Sequence, residues 1–99
     1  LRIVNYCKAM GIPVWSGGMD ETGIGRAFNL HLQTVSGFTL PGDTSETKRY
    51  FAEDIVQPPV TLDPDGFIQI PEGAGTGVTV LQGSVDKFTL SREVLGGNR

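Results

Sequence analysis

Cysteine is nearly absent, with Cys7 alone among 99 residues. One thiol excludes an internal disulfide framework and fits a reducing compartment, by default the cytoplasm. Histidine is as scarce: His31 is the sole example, and no cluster of His, Cys, Asp and Glu has metal-ligand spacing. No apolar run approaches the roughly 20 residues that cross a membrane, and no leader-like stretch is visible. Positive charge is in short supply too. The net charge is -3 with the signs interspersed and no basic run, so nucleic-acid binding has little electrostatic support. Repeats and low-complexity tracts are missing. A chain of this length allows one small domain with a limited core.

What the sequence does hold is a dense stretch from Ser16 to Arg26, Ser-Gly-Gly-Met-Asp-Glu-Thr-Gly-Ile-Gly-Arg. Ahead of it Ile12-Pro13-Val14-Trp15 reads as a short strand with Pro at its entrance. Behind it Ile24, Phe28, Leu32 and Val35 recur at helical steps and predict a helix over about 23–34, with these residues as its apolar face. Glycines and an acidic pair therefore sit where a strand ends and a helix begins. In α/β proteins that loop leaves the carboxyl edge of a parallel sheet, where chemistry is placed. Equally, the glycines read as a plain turn that needs backbone freedom. Asp20 and Glu21 are adjacent and point apart on an extended backbone, which argues against a carboxylate dyad.

Upstream, Ile3, Val4, Cys7 and Met10 share one face of a predicted amphipathic helix, stopped by Gly11 and Pro13. Cys7 on that face reads as a small buried hydrophobe rather than a reactive thiol. His31, within the second helix, reads as a surface or packing residue.

Downstream, Ser36-Gly37 breaks the helix and Phe38-Thr39-Leu40 forms a second strand, ended by Pro41-Gly42. The βαβ arrangement predicts parallel strands, Val14–Ser16 beside Thr39–Leu40, with a right-handed crossover and the helix packed across them. Asp43 ahead of Thr44-Ser45-Glu46 reads as a helix N-cap with its capping box; it reads also as a residue at the rim of a site, and the two roles are compatible. From Gln57 the texture changes. Val60–Leu62 and Phe67–Ile70 flank the turn Asp63-Pro64-Asp65-Gly66, so a hairpin is expected. Gly73-Ala74-Gly75-Thr76-Gly77 has the wrong spacing for a phosphate loop and runs into β-like Val78-Thr79-Val80. The tail carries Val85, Phe88 and Leu90 before a polar end expected to fray.

The strings Gly17-Gly18-Met19, Glu21-Thr22-Gly23-Ile24-Gly25-Arg26, Asn29 and Phe38-Thr39-Leu40-Pro41-Gly42-Asp43 resemble the o-succinylbenzoate synthase / N-acylamino acid racemase family of the enolase superfamily. The resemblance continues through Tyr50, Asp54-Ile55, Pro58-Pro59-Val60, Gly66-Phe67-Ile68 and Pro71, Gly73, Gly75 and Gly77-Val78, thinning after about Val80. It implies a metal-dependent lyase or isomerase, cytoplasmic and homo-oligomeric, that removes the proton next to a carboxylate. The activities implied are dehydration to o-succinylbenzoate for menaquinone synthesis, racemisation of N-acylamino acids, or both. Other readings are a muconate-cycloisomerase-like or dipeptide-epimerase member of the superfamily, a truncated barrel that only binds, and a non-catalytic α+β domain.

The opening at Leu1 inside a helix-like pattern suggests a fragment, and the resemblance implies the C-terminal piece of a longer chain. Residues 1–56 would be the last two strands of a (β/α)7β barrel with their helices, and 57–99 a return segment packing on a capping domain. The two catalytic lysines and three metal carboxylates would lie upstream, so no catalytic residue and no ligand of Mg²⁺, Mn²⁺ or another divalent metal is assigned here. Lys8, Lys48 and Lys87 do not match the family's pattern. Ser16, Gly17, Gly18, Met19 and Glu21 would contact a small carboxylate substrate, the glycines leaving room for it and Met19 offering an apolar wall. Glu21 would tune a neighbouring lysine or hydrogen-bond a carboxylate. Leu40, Pro41, Gly42 and Asp43 would form the barrel rim. Asp20 stands where the family has an apolar residue, and Ala74 and Thr76 also depart from its pattern.

Overall fold

The computed structural model describes residues 1–97. The first element is α1, Arg2–Ala9. It ends where the sequence stops it: Gly11 takes φ +69 and the Ile12 N–H returns to the Cys7 carbonyl at 2.8 Å, a left-handed cap that a side chain would strain. Of the expected apolar face only Val4 is buried and Cys7 half-buried, while Ile3 and Met10 are exposed.

Val14 and Phe38 form a parallel bridge. The Thr39 and Leu40 N–H groups both donate to the Val14 carbonyl, at 3.1 and 3.2 Å. The expected parallel pairing is therefore present, as a single bridge rather than a ladder. Between the two strand segments runs α2, Gly23–Leu32.

The packed face of α2 is not the one its large apolar residues mark. Gly23, Arg26, Ala27 and Leu30 are buried, whereas Ile24, Phe28 and Leu32 are 37, 63 and 38% exposed. Large residues set the periodicity of the sequence, but small ones set the contact. A Cβ on Gly23 would collide with Val56 Cγ2 and the Asp54 carboxylate, so the chain around Asp54 and Val56 sits on the helix backbone itself. The helix N-terminus has no cap from Thr22. Asp54 Oδ1 instead accepts from the Gly23 N–H at 3.0 Å and from the Ile55 N–H at 2.7 Å, satisfying one of the donors a helix start leaves free. Farther along, Gln33 Nε2 donates to Thr44 Oγ1 at 2.8 Å and His31 Nε2 donates to the Thr76 carbonyl at 2.8 Å. His31 thus ties α2 to the return segment.

No helix starts at Asp43. The chain makes only a 3-10 turn at Thr47–Arg49, and Glu46 Oε1 accepts from the Leu62 N–H at 2.6 Å instead of closing a capping box. A carboxylate in reach of a free N–H on the next segment took the place of a local helix start.

Beyond the turn, β1 (Val56–Gln57) pairs antiparallel with β2 (Thr79–Val80). The hairpin reduces to one antiparallel bridge, Leu62 with Ile68, its turn held by Asp63 Oδ1 accepting from the Asp65 and Phe67 N–H groups at 2.9 Å. A third helix, α3, spans Gln82–Phe88, where only scattered apolar residues were expected; Ser84 and Lys87 anchor it by donating to Glu53 at 2.8 and 2.7 Å. The polar end expected to fray includes Asn98 and Arg99, which lie outside the described residues.

The buried apolar core is Val4, Ala27, Leu30, Val56 and Val60. The radius of gyration is 16.1 Å, against about 13 Å for a compact domain of this length. Among the described residues no helix is long and apolar enough to cross a membrane.

Candidate functional site

Ser16–Glu21 leaves the first bridged strand and turns straight into α2. The second strand leaves in the same direction, and the two exits are tied together: the Asp43 N–H donates to the Ser16 carbonyl at 2.8 Å. Ser16, Gly18, Gly42 and Asp43 thereby meet at one edge. Leu40 and Pro41 are exposed beside them.

The two glycines do different work. A Cβ on Gly17 would touch only the Trp15 ring, at 3.8 Å. A Cβ on Gly18 would run into the Asp43 carbonyl oxygen and stand 3.1 Å from Arg26 Nη1. The missing side chain at Gly18 lets the two loops and a guanidinium close up, so its need for glycine arises inside the protein rather than on an open face.

Met19 is held at both ends of its peptide. Its N–H donates to Glu21 Oε2 at 2.8 Å, and its carbonyl accepts from Arg26 Nη2 at 3.0 Å. Its side chain is 74% exposed. Arg26 Nη2 also reaches the Glu21 carbonyl, at 3.4 Å, and Arg26 Nη1 lies 3.5 Å from Glu21 Oε2. The Glu21 carboxyl is held below its usual range, first by its own backbone N–H, then by that of Met19; Arg26 adds a smaller pull, and partial burial opposes all three. At neutral pH it is an ionised brace turned back on its own loop. Arg26 is 1% exposed and carries the structure of the site, a role the helical spacing of apolar residues concealed; the signal for it was a charged residue three positions after Gly23, on the side of the helix with small residues.

Each of the three lysines has a local partner. Lys8 donates to Ser36 at 2.6 Å, Lys48 pairs with Glu46 at 3.0 Å and Lys87 with Glu53 at 2.7 Å. Among the described residues no three His, Cys, Asp or Glu side chains converge. Grooves of about 440 and 350 Å³ lie elsewhere, beside Pro58–Thr61 and beneath α3. The loop presents one open wall.

Parallel strand exits, a glycine loop entering a helix and an antiparallel strand pair beyond them define an α/β barrel segment. The chain belongs to the family described as enolase C-terminal domain-like, which matches residues 1–84. It is 48% identical over 90 residues to the N-succinylamino acid racemase of Thermus thermophilus, covering 91% of this chain and 24% of that protein. To the o-succinylbenzoate synthase of Bacillus subtilis it is 44% identical over 94 residues, covering 95% of this chain and 25% of that one. The crystal structure of an enolase superfamily member from Listeria innocua superposes with a TM-score of 0.84 at 42% identity, covering 91% of this chain and 24% of that chain. The chain thus spans about a quarter of the length of these relatives.

Proposed function

We propose that this chain supplies one substrate-facing wall of a longer enzyme that removes the proton α to a carboxylate. The activities proposed for the whole protein are racemisation of N-acylamino acids, N-succinyl derivatives foremost, and dehydration to o-succinylbenzoate. Both begin with loss of the same proton, and the relatives carry both names.

One observation supports this reading most: the Gly17–Met19 loop stands at a shared strand edge, its backbone fixed and the Met19 side chain free. A wall of that kind binds and orients. Trp15 and Met19 offer apolar contact to an acyl chain or ring, and Gly17 lets a ligand approach the backbone. Proton transfer, and any Mg²⁺ or Mn²⁺, are proposed to reside in the rest of the longer protein, with residues 1–56 its barrel portion and 57–99 its return segment.

The test is α-proton exchange in D₂O by the full-length protein with N-succinylamino acids and Mg²⁺, alongside formation of o-succinylbenzoate from its precursor. Deuterium incorporation or dehydration supports the reading. Neither, across a panel of acyl groups, would refute it.

A further inference from the structure

Burying a guanidinium is costly unless its charge is matched and every N–H is used. Arg26 meets neither condition. It is 1% exposed, its Nε is buried with no partner, and its one carboxylate neighbour, Glu21, is 3.5 Å away and 30% exposed. A methionine or leucine at this helix position would fill the volume without that penalty. Tyr50 lies under the guanidinium, 5.9 Å from ring centre to Arg26 Cζ, and adds only a weak contact at this distance.

What the guanidinium does achieve is local. Its Nη2 holds two carbonyls of one short loop, those of Met19 and Glu21. Its Nη1 leans on the carboxylate that accepts the Met19 N–H. The only space a side chain on Gly18 could enter is closed by the same Nη1 and the Asp43 carbonyl. A planar fork of donors suits this task where a lysine's single ammonium does not. Arg26 is too deeply covered to touch a ligand. Its effect on one passes through the Met19 peptide.

We propose that Arg26 is a positioning residue for substrate: it sets the backbone of Met19, and so the place of the apolar wall, without contacting the substrate itself. This rests on the Gly17–Met19 loop being substrate-facing. A group that places a wall, and not the proton-transfer groups, governs KM and acyl preference more than kcat.

The experiment compares wild type, Arg26→Met and Arg26→Lys in the full-length protein, by kinetics and by hydrogen exchange over residues 16–22. Arg26→Met is expected to raise KM for an N-succinylamino acid about tenfold with kcat within threefold, and to exchange the 16–22 segment at least tenfold faster with α1 unchanged. Arg26→Lys, which keeps charge and one donor, should recover part of both effects. Unchanged exchange, faster exchange everywhere alike, or faster local exchange with unaltered KM would each overturn the proposal, as would kcat falling at constant KM. A wild-type protein that turns over no substrate would overturn the functional reading, and the substrate role of Arg26 with it. A wild type that turns over substrate beside an unchanged variant would overturn this proposal alone.

Discussion

Gly17 and Gly18 are neighbours that separate cleanly by substitution. Gly17→Ala adds a methyl at ordinary contact distance from Trp15, and surface changes of that kind stay within about 0.5 kcal/mol. Gly18→Ala drives a methyl into the Asp43 carbonyl, and the loops must part, at a cost of about 1–3 kcal/mol typical of overpacking. Thermal unfolding of the two variants in the full-length protein checks this; equal melting temperatures would contradict it. Glu21 adds a pH dependence. Because its folded carboxyl sits below the usual range, the stability it lends the loop is complete above the ordinary carboxylate pKa. It is lost as pH falls through the depressed folded value. Exchange of the Met19 amide should therefore stay slow through the ordinary carboxylate range and rise only in stronger acid, after correction for intrinsic exchange. Glu21→Gln should abolish that step.

At the scale of elements, α2 is the piece the others are fastened to. Asp54 caps it from 31 residues away, so Asp54→Ala should lower stability by about 1 kcal/mol, the usual worth of an N-cap. The measure is denaturant unfolding of the full-length protein, and a change below about 0.3 kcal/mol would show that water replaces the carboxylate. Both long helices were legible in the sequence because local signals bound them: Gly11 and Pro13 close α1, and Gly23 opens α2. The parallel bridge was legible from Val14 and Phe38 on either side of a helix. The buried face of α2 was not, because Ile24, Phe28 and Leu32 outweigh Gly23, Arg26 and Ala27 in any count of hydrophobicity. β1 and β2 are two residues each, too short to alternate visibly. α3 contains Gly83 and Ser84, poor helix formers, and is fixed by Glu53 rather than by propensity. Within the candidate site the loop itself was legible as a strand-to-helix junction, whereas its brace depends on a contact between Arg26 and two carbonyls that no spacing reveals.

The whole molecule shows more of itself than a finished domain does. Its accessible surface is 7516 Å², roughly 2,000 Å² above the approximately 5,500 Å² usual for a monomer of 10.6 kDa. Ile3, Tyr6, Met10, Phe28 and Phe67 are among the large apolar residues exposed on it, and apolar side chains left open in such numbers favour association. The 99 residues expressed alone should accordingly sediment as aggregates or unfold without a cooperative transition; a sharp thermal transition of a monomer in ultracentrifugation-verified samples would refute this.

The tether at Met19 has an evolutionary consequence. Both hydrogen bonds described at that peptide take hold of Met19 by its main-chain N–H and carbonyl, with the Glu21 and Arg26 side chains as partners, so they do not depend on which side chain position 19 carries. In the substrate wall proposed above, a lineage can exchange that residue for a bulkier, smaller or more polar one and alter which molecules are welcomed, while the backbone that presents it stays in place. Selection for a new substrate then meets a position where novelty is nearly free of folding cost, flanked at Gly18 and Arg26 by positions where it is not.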